Sequence, residues 1–241
     1  MITKNELDNI AVKYHSNDIL QDKFIEDECQ FYTYNWVFNH VKANSKILEL
    51  GYGEGNFTEE LVKRNFRPTI IDGSKILLDT ALRKYGDKIK VVNELFENYE
   101  SEELFDVIVA THVLEHVDDP IEILKKFKKF LNKKGIIIII VPNANSIHRK
   151  LSVLMNLQTK LDSLSQRDIL VGHQRVYTFE TLEKDVSIAG LKVLDKAGFF
   201  LKVLPNSMMK DFNLDLIKAL NKISKEIDMD MLANIGVVVS L

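Results

Sequence analysis

Glu49, Gly51, Gly53 and Gly55 stand on alternate positions at the end of an apolar run, Lys46-Ile47-Leu48-Glu49-Leu50. Glycine has no Cβ, so a strand-to-helix turn built from it lets the backbone approach a ligand closely. In open α/β sheets the crevice beyond the carboxyl ends of the strands is where ligands bind. A dinucleotide fingerprint needs Gly-x-Gly-x-x-Gly, and Asn56 occupies its third glycine position, which argues against a nicotinamide cofactor. No Gly-Lys-Ser/Thr follows, so the loop is not one that cradles phosphates. An acid at Glu49 suits a ligand bearing an ammonium group. Asp72 ends the next apolar run, twenty-one positions after Gly51, where a carboxylate can accept hydrogen bonds from both ribose hydroxyls.

A second group follows the apolar run Phe105–Ala110, in the stretch Thr111-His112-Val113-Leu114-Glu115-His116-Val117-Asp118-Asp119-Pro120. His112 directly follows the strand and is a candidate base, because an alcohol acceptor must lose a proton and histidine titrates near neutral pH. A phosphate or carboxylate acceptor needs no base, only a cation to position it. His116 is expected to brace the turn. Gly172-His173-Gln174-Arg175-Val176-Tyr177 is polar and stands just before a capped helix. His173, Arg175 and Tyr177 are candidate acceptor contacts, His173 also a candidate catalytic group, and Arg149 a further contact. The same stretch also reads as an ordinary helix-leading loop. Asp118-Asp119 before Pro120 is explained by capping, and no metal site is visible.

The elements that must carry these groups alternate. Strands are predicted at Lys46–Leu50, Pro68–Ile71, Ile89–Val92, Phe105–Ala110 and Ile136–Val141, the last apolar throughout as a central parallel strand should be. Helices are predicted at Asn56–Asn65, at Ser74–Tyr85 with Ser74 as N-cap, and from Asp119-Pro120 to Gly135. Strands joined by helical crossovers imply a doubly wound parallel sheet. Residues 143–177 break this rhythm with helical spacing at Ile147, Leu151 and Leu154 and again at Leu161 and Leu164; an insertion there would cap the acceptor side. A helix at Thr178–Ala189, a sixth strand kinked near Lys196 (Leu191–Leu194 with Gly198–Val203), a helical stretch Ser207–Ile227 and a final strand Ile235–Leu241 complete the chain. Residues 1–44 give two helices with a bend near Ser16-Asn17-Asp18. They either lie over the ligand crevice or pack on a sheet edge. No linker divides the 241 residues, so one domain is expected, with 1–44 as a helical cap, 45–142 as cofactor core, 143–177 as insertion and 178–241 completing the sheet.

The composition, 46% hydrophobic and 28% charged with a net charge of −3, suits a globular protein and gives no electrostatic case for nucleic acid or anionic membrane. Lys125-Lys126-Phe127-Lys128-Lys129 reads as the solvated face of an amphipathic helix. The single cysteine, Cys29, excludes an internal disulfide and reads as a packed apolar residue. Met1–Glu6 carry no apolar signal region, and the longest apolar run, Ile136–Val141, is too short to span a membrane. A cytoplasmic protein is expected, compatible with a homodimer.

Glu49-Leu50-Gly51-Tyr52-Gly53-Glu54-Gly55 together with His112-Val113-Leu114-Glu115-His116-Val117 resembles the class I methyltransferases that use S-adenosylmethionine (SAM), in the branch acting on small molecules. The resemblance covers roughly residues 45–142. It implies a Rossmann-like α/β fold with seven strands in the order 3-2-1-4-5-7-6, mostly parallel, with the last strand antiparallel. It implies SAM as cofactor and S-adenosylhomocysteine as product. Gly51, Gly53 and Gly55 would line the methionine and ribose part, Glu49 would orient that loop, Tyr52 within it would also contact the cofactor, Asp72 would hold the ribose, and Ala110, Thr111 and His112 would pass beneath the methionine end. Adenine would meet the backbone at Leu95 and Phe96; many relatives carry Asp where this chain has Leu95. Gly172–Tyr177, Gly198–Lys202 and Pro205-Asn206-Ser207-Met208-Met209 resemble methyltransferases of bacterial surface-polysaccharide (capsule) pathways, which implies methylation of an oxygen on a sugar or on a phosphorylated or phosphoramidate precursor. N-methylation of a small amine and a SAM-binding regulatory protein without transferase activity remain open.

Overall fold

A computed structural model describes residues 3–16 and 23–241, with side chains for 3–12 and 23–241. Asn17 and Asp18, where the bend between the first two helices is expected, lie outside the described residues.

Seven strands form one sheet in the order β3-β2-β1-β4-β5-β7-β6: β1 (Ile47–Leu50), β2 (Thr69–Asp72), β3 (Lys90–Asn93), β4 (Phe105–Thr111), β5 (Leu131–Pro142), β6 (Lys192–Phe199) and β7 (Asn234–Ser240). The five strands from β1 to β5 pair parallel, and β7 runs antiparallel between β5 and β6. Strand order and orientation match the expectation drawn from the resemblance.

The helices cover both faces. On one side α5 (Pro120–Phe127) and α8 (Phe179–Ile188) bring Leu124, Phe127, Leu182 and Val186 onto Leu48, Ile108, Ile137 and Val237. On the other, α2 (Lys23–Asn39) and α3 (Asn56–Lys63) bring Tyr34, Val37, Phe57 and Leu61 onto Ile47, Val107, Val109, Ile138 and Val238. Neighbouring residues of β4 and β5 thus serve opposite layers, which is why the stretches Val107–Ala110 and Ile136–Val141 are apolar at every position. The helix α4 (Lys75–Tyr85) starts at Ser74, whose side chain accepts from the Leu77 N–H at 3.3 Å, and Asp119 caps α5 with Pro120 at its first turn. Both caps are as expected.

Four features differ from the sequence reading. Gly135 does not end a helix: α5 stops at Phe127, a 3₁₀ turn covers Lys128–Phe130, and Gly135 lies within β5. The β4–β5 register shifts between Phe105 and Val107, and a Cβ at Gly135 would sit 2.9 Å from the Phe105 carbonyl, so the irregular pairing itself demands glycine. The sixth strand is continuous from Lys192 to Phe199, and its irregularity falls between Val193 and Asp195 rather than at Lys196. Ser207–Ile227 divides into α9 (Asn206–Met209) and α10 (Leu214–Ile223), the latter capped by Asn213. In the insertion, α6 (Ile147–Leu154) and α7 (Gln166–Leu170) form, but Leu154 is 77% exposed instead of facing inward.

Candidate active site

The carboxyl ends of β1, β2 and β4 open into a cavity of about 520 Å³, within the range of small-molecule sites. Its floor is the glycine loop. Gly51, Gly53 and Gly55 have φ of 77°, 53° and 78°, a left-handed region that side-chain-bearing residues rarely adopt. The Gly51 N–H donates to the Ile71 carbonyl at 2.8 Å, which fastens the loop to β2. A Cβ on Gly55 would overlap the Tyr52 ring. Lys23, at the start of α2, forms an ion pair with Glu54 in the loop.

Asp72 organises the next wall. Its Oδ2 accepts the Tyr52 N–H at 2.8 Å and its Oδ1 the Ser74 N–H at 2.7 Å. Each oxygen retains lone-pair capacity for a ligand hydroxyl. Burial pushes the Asp72 carboxyl up, opposed by those two backbone bonds, and it stays above the usual range. Glu49 is more perturbed: burial, with the Asp72 charge adding to it, raises its carboxyl to about 8 against the bond from Thr58 Oγ1 at 2.7 Å. Glu49 and Asp72 both line the cavity, with Leu95, Phe96 and Glu97 beyond them. The Leu95 N–H already donates to Glu94 Oε1 at 2.9 Å, so Leu95 offers the cavity its side chain rather than the expected backbone donor.

The N-terminal helices lie over this crevice, one of the two expected arrangements. Leu7, Ile10 and Ala11 of α1 (Lys4–Ser16) and Ile25, Glu26, Cys29, Gln30 and Tyr34 of α2 face the cavity. Asp8 Oδ1 accepts from Ser74 Oγ at 2.5 Å and from the Ile76 N–H at 3.1 Å, fixing α1 to the start of α4. Burial raises the Cys29 thiol to about 12, so it stays protonated and packs as an apolar residue, as expected.

The turn after β4 supplies the opposite wall. His112 adopts φ 55°, a left-handed conformation unusual for a residue with a side chain, and its N–H donates to the Ile140 carbonyl at 2.8 Å. Its Nδ1 lies 2.9 Å from Glu115 Oε1. Burial alone would discharge both groups; their mutual contact instead keeps the Glu115 carboxyl below and the His112 imidazole above the ordinary value. His173 Nδ1 lies 2.9 Å from Asp168 Oδ1, and the rings of His116 and His173 meet edge to face with centroids 4.6 Å apart. Thr111, His112, His116 and His173 all line the cavity.

Several predicted contacts go elsewhere. Ala110 is 1% exposed and belongs to the core beneath the site, because it still lies within the paired part of β4. Tyr177 is equally enclosed, with its hydroxyl 3.2 Å from Asp185 Oδ2. Arg175 points away from the cavity: its guanidinium donates to the carbonyls of Leu114, Val117 and Asp118 and so holds the post-β4 turn in place. Replacing Arg175 by alanine is expected to lower stability by about 2–3 kcal/mol, since three carbonyls lose a charged donor. A lowered Tm with acceptor KM unchanged in the folded fraction would show this bracing role. Arg149 lines the cavity, but its donors are committed to Asp168 Oδ2 at 2.8 Å and to the Leu161 and Ser163 carbonyls, which places it in support of His173 rather than free for an acceptor.

Other residues in the cavity wall escaped the sequence reading. Lys202 lines the cavity; its N–H donates to the Phe200 carbonyl at 2.9 Å, while among the described residues its ammonium makes no hydrogen bond or ion pair. Burial lowers its ammonium pKa, although Glu26 opposes this. His148, also in the wall, has a buried Nδ1 without a partner, and burial beside Lys202 holds its imidazole well below the usual range. Glu26 accepts from Arg167 at 2.6 Å and from Asn206 at 3.1 Å, joining α2, α7 and α9 across the roof. The signal for Lys202 in the sequence was its place in Gly198–Lys202, one of the segments that carry the capsule-pathway resemblance, as a cation between apolar neighbours.

A sheet in this strand order, with a glycine loop after β1 and the carboxylates of Glu49 in β1 and Asp72 at the end of β2 facing one cavity, is a Rossmann-like methyltransferase fold. Residues 27–196, well over half the chain, match the methyltransferase domain family, and the chain belongs to that family, whose methyl donor is SAM. A ubiquinone biosynthesis O-methyltransferase of Rickettsia bellii is 28% identical over 114 residues, covering 44% of this chain and 48% of that protein. The chain thus matches about half the length of that curated relative. Among solved structures, a SAM-dependent methyltransferase of Clostridium acetobutylicum superposes with TM-score 0.58 at 16% identity over 89% of this chain and 91% of the other. The N-methyltransferase NodS of Bradyrhizobium japonicum, in complex with S-adenosylhomocysteine, superposes with TM-score 0.55 at 16% identity over 87% and 85%. Among the described residues no helix is long and apolar enough to cross a membrane.

Proposed function

We propose that the protein transfers a methyl group from SAM to an oxygen of a small hydroxylated acceptor that also carries an anionic group. When bound, SAM supplies a sulfonium methyl for in-line displacement. Glu49, Gly51, Tyr52, Gly53 and Gly55 would hold its amino-acid end, where the acid at Glu49 matches an ammonium and the left-handed glycines admit close backbone approach. Asp72 would accept the ribose hydroxyls, and Leu95 and Phe96 would cover the base. The residues beyond His112 — His116, His148, His173 and Lys202 — then face the acceptor. Orientation of the two reactants accounts for most of the rate gain in such a transfer.

The observation that carries the acceptor class is Lys202. Arg149 and Arg167 are paired with Asp168 and Glu26, but Lys202 offers a cation without a counter-charge in direct contact. A partly desolvated ammonium of this kind fits a phosphate or carboxylate on the acceptor. A phosphorylated or phosphoramidate sugar of the surface-polysaccharide type combines such a group with a free hydroxyl, in keeping with the resemblance of Gly172–Tyr177 and Gly198–Lys202 to capsule-pathway methyltransferases. The curated O-methyltransferase relative supports oxygen as the accepting atom.

Methyl-labelled SAM incubated with phosphorylated sugars and their dephosphorylated counterparts tests this. Label is expected in the phosphorylated set only. Lys202→Met is expected to raise the acceptor KM by about 10- to 100-fold, the value of one charge-assisted bond, with SAM affinity unchanged. Equal labelling of both sets, or a KM indifferent to Lys202→Met, would remove the anionic group from the proposal.

A further inference from the structure

We propose that Glu115, His116 and His173 form a binding site for one divalent first-row transition-metal ion, and that this ion ligates the acceptor's hydroxyl oxygen. The inference rests on the O-methyl-transfer reading and names what prepares the oxygen. No metal-ligand spacing is visible in the sequence, because two of the donors are adjacent and the third arrives from the insertion. The fold brings one donor atom of each residue within 4.8 Å of the other two. A metal with bonds of about 2.1 Å needs donors somewhat closer together than that, a change that small side-chain rotations supply.

Three observations point to an ion rather than to ordinary hydrogen bonding. Glu115 is fully buried and its Oε2 has no hydrogen-bond partner, while Oε1 is engaged by His112. A buried carboxylate oxygen without a partner is costly and is normally paired or metal-bound. His173 is oriented from behind: Asp168 Oδ1 contacts its Nδ1 at 2.9 Å, and Asp168 is itself held by Arg149 at 2.8 Å and by the Ser165 N–H at 2.8 Å. With its proton on Nδ1, the ring presents the Nε2 lone pair, the carboxylate–histidine arrangement that supports metal ligands. His116 and His173 line the cavity, so the ion has a route in and open positions for the acceptor.

Two imidazoles and one carboxylate favour zinc, manganese, iron(II) or cobalt over magnesium or calcium, and three protein ligands leave coordination positions free. The ion takes a lone pair from the acceptor hydroxyl, whose proton leaves to solvent. That oxygen then forms the O–C bond to the transferred methyl, while the electron pair of the broken C–S bond stays on sulfur. Such an ion lowers the pKa of a bound hydroxyl as it does that of bound water.

Cobalt(II) titration of chelator-treated protein, with no acceptor present, is the first test. The expected result is a visible d–d band saturating at one ion per chain, competed away by zinc. Glu115→Gln and His116→Ala are each expected to weaken cobalt binding by about 100-fold, with Tm and SAM affinity showing that the fold persists. No saturable band, or affinity unchanged in both variants, overturns the site. The second arm adds the acceptor: a shift of the band, and methyl transfer lost on chelation and restored by the metal, supports oxygen ligation, whereas full transfer after chelation overturns it. Because cobalt binding is read without acceptor, its failure leaves the methyl-transfer reading intact, and absence of methyl transfer leaves the ion site intact.

Discussion

Asp72→Ala is expected to weaken SAM binding by at least about 100-fold, measured by calorimetry on the ligand-free protein. The carboxylate has two duties that the substitution removes together. It accepts the N–H groups of Tyr52 and Ser74, and it would accept the ribose hydroxyls of the cofactor. Hydrogen bonds to a charged group contribute about 1.5–3 kcal/mol each, so losing two ribose bonds alone accounts for the expected factor. Two buried N–H groups would also be left unpaired, at about 1–3 kcal/mol each, and the loop between β1 and α3 would loosen. Asp72→Asn separates the effects. An amide oxygen still takes one backbone N–H, so most stability should return while the ribose bonds weaken. SAM affinity unchanged in both variants would remove Asp72 from the cofactor site.

Glu49→Gln is expected to stabilise the ligand-free protein at neutral pH and to weaken SAM binding. The folded carboxyl of Glu49 titrates at about 8, from a reference value of 4.5. A raised carboxyl pKa means that the folded state keeps a proton that the unfolded state gives up. Its stability is therefore greatest below about pH 4.5, falls as pH rises towards 8 and is level above that. By pH 7 the difference amounts to roughly 3 kcal/mol, at about 1.36 kcal/mol per unit. Glutamine keeps the Thr58 bond and has no proton to lose, so the wild-type minus variant difference in unfolding free energy should show this slope. An ammonium-bearing ligand favours the ionised carboxylate. SAM should then bind the wild type more tightly between pH 6 and 8, with proton release, and bind the variant weakly and without that dependence. A flat difference curve would place the charge of Glu49 elsewhere.

What was legible in the sequence follows a physical division. Backbone-determined features were readable: alternate glycines that demand left-handed φ, an acid ending each of two apolar runs, a Ser and an Asp-Pro that cap helices. These are local, and each fixes its own geometry. Gly135 misled because the same residue type serves a helix end and a strand irregularity, and only the Phe105 carbonyl across the sheet decides between them. Arg175 and Tyr177 misled because polarity near a site does not say which way a side chain turns; the carbonyls of the post-β4 turn and Asp185 claimed them. Lys202, His148 and Glu26 received no role from the sequence because their common cavity wall is assembled from segments far apart in the chain. Glu115 was passed over beside its histidines, since nothing in its neighbours reveals that one of its oxygens is left without a partner.

The Glu26 carboxylate ties the roof of the cavity through partners 141 and 180 positions away in the chain. Contacts between segments so far apart in the chain carry a larger loop-closure cost than local ones. The roof's two tethers at this point are polar and partly solvent-accessible, each contributing far less than the apolar layers that hold the sheet. The same segments are also joined by a buried apolar cluster that includes Ile25, Cys29, Phe200, Met209 and Ile217, so opening the roof exposes that surface as well as breaking the tethers.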